Sequence, residues 1–511
     1  MFKGHSIWLA YLIVFVSSAC TLVVELVAGR IMAPYIGVSL YTWTSIIGVV
    51  LAGISLGNYL GGRIADRWAS RKTLAVVFVA SGLASVAVLP TTAIAAANST
   101  NIPLVPKIVL FTAFIFFAPS CLMGMTSPIV IKLTLADLHQ TGNVVGKIYA
   151  LSTLGSIFGT FITGFVLISW LGTRTIIWAV ALTLIAMGIA AGFGRSRRHA
   201  LAGPGVLLIY VAAFSQRAPF GAPCVRETNY FCINVFTTAL PGIGEVKAMV
   251  LDHLVHSYIS PDDPSKLGYG YERIYADITE YVAQREPGPL RTLFVGGGGY
   301  TFPRYVAAVY PTASVEVVEI DPGVTEVAYD FMGMPRDTKI KSYNEDGRLF
   351  FAGQNADDPY DLIYGDAFND LSIPYHLTTV EFDRRVRARL EDDGFYLANV
   401  IDNPRTGQFL RAYLRTMREV FPYVYLFVEG TAAGWDQGGQ STLIVAATGR
   451  PLDFADLRRV VGQDGQRPLR SDMVTPEQID DYLARGPAIV LSDDFAPVDQ
   501  LVAPLFLERG Y

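Results

Sequence analysis

The run Arg291-Thr292-Leu293-Phe294-Val295-Gly296-Gly297-Gly298-Gly299-Tyr300-Thr301-Phe302-Pro303 decides how the second half of this 511-residue chain is read. An apolar stretch of strand length stops at four consecutive glycines, and Thr301 with Pro303 opens a helix that reaches Val309. Glycines at a strand-to-helix turn let a ligand approach the backbone closely. Outward from this turn the pattern repeats. Ser314 to Val318 is a strand ending in Glu319-Ile320-Asp321. Lys339 to Tyr343 is a strand leading to Glu345-Asp346-Gly347-Arg348, and Tyr360 to Tyr364 is a strand that delivers Asp366 to its carboxyl end. Strands alternating with helices predict a mostly parallel sheet. Ligands of such sheets bind at the carboxyl edge.

These positions suit an adenosine. Glu319, on the second strand, can accept hydrogen bonds from both ribose hydroxyls, with Gly296, Gly297, Gly298 and Gly299 close to the ligand. Asp346 and Gly347 are placed at the adenine, where Asp346 can accept from the amino group. Dinucleotide dehydrogenases and enzymes using S-adenosylmethionine share this arrangement of glycines and a distal acid. Thr301 stands where the third glycine of a dinucleotide fingerprint belongs, which leans away from NAD.

The first half is of a different kind. Mean hydropathy is +0.37, and of 45 Asp and Glu residues only Glu25, Asp66 and Asp137 precede residue 200. Apolar stretches near 6–30, 42–62, 73–96, 106–134, 146–170 and 174–194 are long enough to cross a bilayer, so six spans are expected in a lipid bilayer. Leu201 to Phe214 is either a seventh span or an interfacial helix. Arg63, Arg67, Arg71 and Lys72 crowd the second connection and predict that it is cytoplasmic, which places the N-terminus in the cytoplasm of an inner-membrane, multi-pass protein. The stretch from Gly61 to Lys72 also resembles the loop between helices two and three of major-facilitator transporters. Gly53, Gly57, Gly61 and Gly62 are expected to allow close helix packing. Net charge is -5 without a long basic run, which gives no reason to expect a nucleic-acid partner. His253 and His256, three apart on an expected strand, face opposite ways, so no metal site is expected.

The run from Leu293 to Val400 resembles spermidine synthases, the polyamine aminopropyltransferases, in its order of glycine loop, Glu-Ile-Asp, Asp-Gly and a strand-end Asp. Gly365-Asp366-Ala367-Phe368, Ile373 to Thr379 and Glu381-Phe382 resemble the membrane-fused branch of that family. Upstream, Val250-Leu251-Asp252 and Tyr269-Gly270-Tyr271-Glu272 resemble its small β-unit and the segment that follows. The fold this implies is multi-domain: an N-terminal α-helical transmembrane bundle over 1–216, a small β-rich unit over 217–285, and an α/β Rossmann-like domain of the class I S-adenosylmethionine-binding type over 286–511. The resemblance makes Asp366 the catalytic acid that deprotonates an attacking amine, with S-adenosylmethionine or its decarboxylated form as substrate and methylthioadenosine released. Tyr271, Glu272, Tyr300, Asn369, Asp370 and Tyr375 are the candidate substrate-binding residues.

Two departures from the family bear on the substrate. Gly299 stands where the family has an Asp that grips the amino end of the decarboxylated compound, and Asn369, with Asp370 beside it, stands where the family has a second active-site Asp. Loss of the first acid is expected to admit intact S-adenosylmethionine. The competing readings are an enzyme that uses intact S-adenosylmethionine, by internal carboxylate attack or methyl transfer, and a transporter or sensor that binds the nucleoside unchanged. The acceptor and the oligomeric state, including a homo-oligomer, stay open. Because S-adenosylmethionine is made in the cytosol, the soluble domain is expected there, with Cys224 and Cys232 reduced.

Overall fold

The computed structural model describes residues 6–97, 102–135, 141–192, 223–285, 288–353, 359–367, 373–461 and 471–508. The chain divides into two compact units, Met1–Pro223 with Gly510–Tyr511, and Cys224–Arg509. The small β-rich region and the larger sheet therefore form one body, cut from the helical unit a few residues later than the sequence suggests.

In the first unit α1 (Ser6–Ile36), α2 (Leu40–Trp68), α3 (Arg71–Ala97), α4 (Leu104–Gly124), α5 (Thr126–Thr134) and α6 (Thr141–Ile162) precede a final helix, Thr173–Gly192. A π-turn at Thr163–Leu167 carries α6 on to Trp170. Among the described residues, six helical stretches are long and apolar enough to cross a membrane by length and composition, α4 and α5 counting as one. Glycines set how closely they pack. A Cβ at Gly57 would lie 2.1 Å from the Cys121 carbonyl oxygen, and one at Gly61 2.7 Å from the Met125 Cα. With Gly53 these residues recur every four positions and form the face of α2 that meets α4, whereas Gly62 points into open space. Gly155 and Gly159 do the same for α6 against the Phe15 and Ala19 carbonyls of α1. The apolar run 201–214 lies outside the described residues.

The second unit opens with an antiparallel sheet of β1 (Arg226–Glu227), β2 (Cys232–Leu240), β3 (Gly244–Leu251) and β4 (Leu254–Ile259) in that order. The pairing of Glu227 with Cys232 folds the chain back sharply. It brings the Cα atoms of Cys224 and Cys232 to 5.4 Å, and the two cysteines are joined in a disulfide. The expectation of reduced thiols is thereby corrected: a spacing of eight says nothing of a hairpin until β1 and β2 are seen to pair.

After the helix Gly270–Arg285 comes a larger sheet. Its strands are β5 (Arg291–Val295), β6 (Ser314–Val318), β7 (Lys341–Tyr343), β8 (Tyr360–Gly365), β9 (Leu390–Asp402), β10 (Tyr423–Glu429), β11 (Ser441–Thr448) and β12 (Ser471–Val474). They lie in the order β12-β10-β11-β9-β8-β5-β6-β7. The strands from β9 to β7 run parallel, and β11, β10 and β12 are added beyond β9 through antiparallel pairings, with β12 at the edge. Near-continuous apolar runs such as Leu293-Phe294-Val295 are buried by helices on both faces, as a parallel sheet requires. Chain order reverses between β5 and β8. That switch point opens a crevice at the carboxyl ends of the strands.

Candidate functional site

Gly296 follows β5 and Asp366 follows β8, and at the switch point the two meet. Gly296 has φ +103°, and a Cβ there would lie 2.3 Å from the Asp366 carbonyl oxygen, so only glycine fits. The Gly297 and Gly298 amides donate to Glu319 Oε2 at 2.8 and 3.3 Å, while the Asp321 amide donates to Oε1 at 2.9 Å. Burial pushes the Glu319 carboxyl up, and these amide bonds pull it back. Glu319 thus ties the glycine loop to the next strand and still lines the crevice, a cavity of about 260 Å³.

Asp366 is held from two sides. Asn399 Nδ2 donates to Oδ1 at 2.7 Å, and the Tyr271 hydroxyl donates to Oδ2 at 3.0 Å. Burial raises the Asp366 pKa; the Asn399 and Tyr271 bonds work against that rise by favouring the carboxylate. A carboxyl raised toward neutrality and fixed at the carboxyl edge of a sheet can accept a proton from a substrate. Sequence reasoning missed Asn399. Its signal is an amide side chain in the otherwise apolar and aromatic buried run Tyr396-Leu397-Ala398-Asn399-Val400.

Asp346 and Gly347 also line the cavity. Asp346 Oδ1 accepts from the Arg348 and Leu349 amides and so caps the short helix Gly347–Gly353, and Oδ2 meets His376 Nε2 at 2.9 Å. His376 and His256 both line the cavity, as do Tyr230 and Phe231, and none of the four was singled out as a site residue from sequence. His376, Tyr230 and Phe231 lie in turns, where a single residue carries no spacing signal, and His256 is one residue of the strand β4.

Two of the candidate substrate-binding residues are engaged by the protein itself. Tyr300 is fully buried, with its hydroxyl bonded to Thr325 Oγ1 and Ser342 Oγ, both at 3.0 Å. It adopts φ +60°, a left-handed backbone that costs a bulky residue about 1–2 kcal/mol and is held by these core contacts. Glu272 is also buried and accepts from the Tyr269 amide at 3.1 Å, bonding back to the start of its own helix as in half of a capping box. Tyr375 is 55% exposed on the turn beside His376. Asn369 and Asp370 lie outside the described residues. At Gly299, the amide donates to Ser257 Oγ at 2.7 Å, and a Cβ would fall 2.7 Å from Ser257 Cβ. An acid at that position therefore has no open space.

No family model matches the chain. By sequence it is similar to the polyamine aminopropyltransferase of Vibrio vulnificus, 33% identical over 28% of this chain and 46% of that protein. The polyamine aminopropyltransferase of Thermococcus onnurineus is 29% identical over 41% of this chain and 71% of that protein. Human eEF1A lysine and N-terminal methyltransferase is 28% identical over 27% of this chain and 21% of that protein. The chain spans less than half the length of the first curated relatives it matches. Among solved structures, a probable spermidine synthase from Corynebacterium glutamicum aligns with TM-score 0.44 and 21% identity, covering 52% of this chain and 95% of that one. The sequence relatives point to the polyamine aminopropyltransferase family.

Proposed function

We propose that the soluble unit is a transferase of the aminopropyltransferase kind, moving the aminopropyl group of a decarboxylated S-adenosylmethionine-type sulfonium to an amine. The observation that carries this reading is that Asp366 and Glu319 line one cavity at the sheet's switch point, with the Asp366 carboxylate aligned by Asn399 and Tyr271. Adenosine binding alone does not need Asp366. In the proposed step Asp366 takes a proton from the ammonium, freeing the nitrogen lone pair. That pair forms a bond to the carbon next to sulfur as the carbon–sulfur bond breaks. The bond electrons stay on sulfur, and neutral methylthioadenosine leaves. The sulfonium is already a good leaving group, so positioning supplies much of the acceleration. Product identification after incubating the purified full chain with each sulfonium compound tests the reading.

A second reading keeps intact S-adenosylmethionine. It is favoured by Gly299, whose surroundings leave no place for an acid that would repel the substrate carboxylate, and by similarity to a methyltransferase.

For location, we propose that the helical unit lies in a bilayer, supported by its six long apolar helices, and that the soluble unit faces a disulfide-permitting compartment. The Cys224–Cys232 bond supports the latter, since structural disulfides persist in oxidising compartments and are rare in the cytosol. With the N-terminus in the cytoplasm this proposal departs from the cytoplasmic expectation and corresponds to the alternative in which Leu201 to Phe214 is a seventh span rather than an interfacial helix.

A further inference from the structure

The loop closed by the disulfide is part of the cavity. Tyr230 and Phe231, between Cys224 and Cys232, line it beside Glu319 and Ile320. The same loop is docked on the residues that hold Glu319. Thr228 Oγ1 donates to Asp321 Oδ2 at 2.5 Å, and Gly323 lacks the Cβ that would come within 2.3 Å of Thr228 Cγ2. Asp321 in turn donates its amide to Glu319 and caps the helix Pro322–Asp330 through the Gly323 amide at 2.8 Å. Within the loop, Thr228 Oγ1 accepts from the Tyr230 and Phe231 amides at 3.1 and 2.9 Å, which holds the backbone that carries the two rings. Arg226 pairs with Asp330 at 3.1 Å on the outside.

We infer that the disulfide-closed loop Cys224–Cys232 is a ligand-binding element, its aromatic pair walling the nucleoside cavity, and that oxidation of the cysteine pair holds this wall in the binding position. The inference rests on the proposed nucleoside reading of the cavity. Two-electron reduction by a dithiol, itself oxidised to a cyclic disulfide, adds two electrons and two protons and leaves two thiols. The loop then keeps the Thr228–Asp321 hydrogen bond, the Arg226–Asp330 pair and its pairing with β2, without the covalent tie between its ends. Its docked fraction falls, and apparent affinity falls by the same factor. Cys20 and Cys121 are already free thiols in the helical unit, so reduction acts on this one bond among the described cysteines.

The experiment is calorimetric titration of the full chain in detergent with methylthioadenosine, comparing oxidised protein, dithiothreitol-reduced protein and the Cys224→Ser/Cys232→Ser variant. A further arm uses oxidised Tyr230→Ala, which removes an exposed part of the wall and leaves the bond intact. The dissociation constant should rise about threefold to thirtyfold in the reduced and double-serine proteins, and at least about threefold in Tyr230→Ala. Equal affinity in the oxidised, reduced and double-serine proteins overturns the redox part. An unchanged Tyr230→Ala overturns the aromatic wall. No binding to the oxidised wild type overturns the nucleoside reading and this inference with it.

Discussion

Tyr271 and Asp366 are 95 positions apart in sequence, and the Tyr271 hydroxyl donates to Asp366 Oδ2 at 3.0 Å. The bond favours the charged carboxylate against the effect of burial. Asp366→Asn is nearly isosteric but cannot take a proton. It should keep methylthioadenosine binding and lower turnover by about 100- to 10,000-fold. In Tyr271→Phe the carboxyl loses a stabilising bond and its pKa rises further. The acidic limb of the kcat/KM profile should then move upward by about half to one pH unit, with activity recovering at high pH. An unmoved limb would separate Tyr271 from the chemistry.

Glu319 joins two roles, accepting the Gly297, Gly298 and Asp321 amides while lining the cavity. Glu319→Ala should weaken methylthioadenosine binding by about 1–3 kcal/mol, and Glu319→Gln, which keeps one acceptor oxygen in place, should lose less. Calorimetry giving wild-type affinity for both variants would remove Glu319 from the ligand.

Burial lifts the Glu272 carboxyl from its ordinary 4.5 to about 8, with the Asp366 charge adding to the rise and the Tyr269 amide opposing it. The folded protein therefore holds a proton there that the unfolded chain releases above about pH 4.5. Stability from this group is full below that value, declines as pH rises, and is lost by about pH 8. Glu272→Gln, which can still accept the Tyr269 amide, should flatten the decline. Relative to wild type, its soluble unit should gain stability between about pH 5 and pH 8 by a few kcal/mol. Parallel wild-type and variant curves of Tm against pH would show that Glu272 does not carry the proton.

A protease site placed after Tyr511 should be cut in spheroplasts if the soluble unit faces an oxidising compartment, and a helical-unit control site after Trp68, in the connection predicted to be cytoplasmic, should be protected. Protection of both sites would return the soluble unit to the cytoplasm.

Much of the sheet is legible in sequence because its signals are local. The strand Arg291–Val295 and the helix Thr301–Val309 follow from an apolar run, four glycines and a helix start. Glu319, Asp346 and Asp366 each sit at a strand end, where spacing along the chain places them together at the cavity. Side-chain direction is what sequence could not supply. Tyr300 and Glu272 stand beside the right motifs, yet one turns into the core and the other to its own helix end. Asn399, Tyr230 and the Cys224–Cys232 bond depend on pairings that appear only once strands are brought side by side.

Aminopropyl transfer is tested most directly by product identity. Purified full-length protein is incubated separately with decarboxylated and intact S-adenosylmethionine, with and without putrescine, and the products are identified by mass spectrometry. The expected result is methylthioadenosine from the decarboxylated compound, matched mole for mole by an aminopropylated amine and absent in Asp366→Asn. S-adenosylhomocysteine as the nucleoside product, or tight binding of both compounds with no turnover of either, would contradict it.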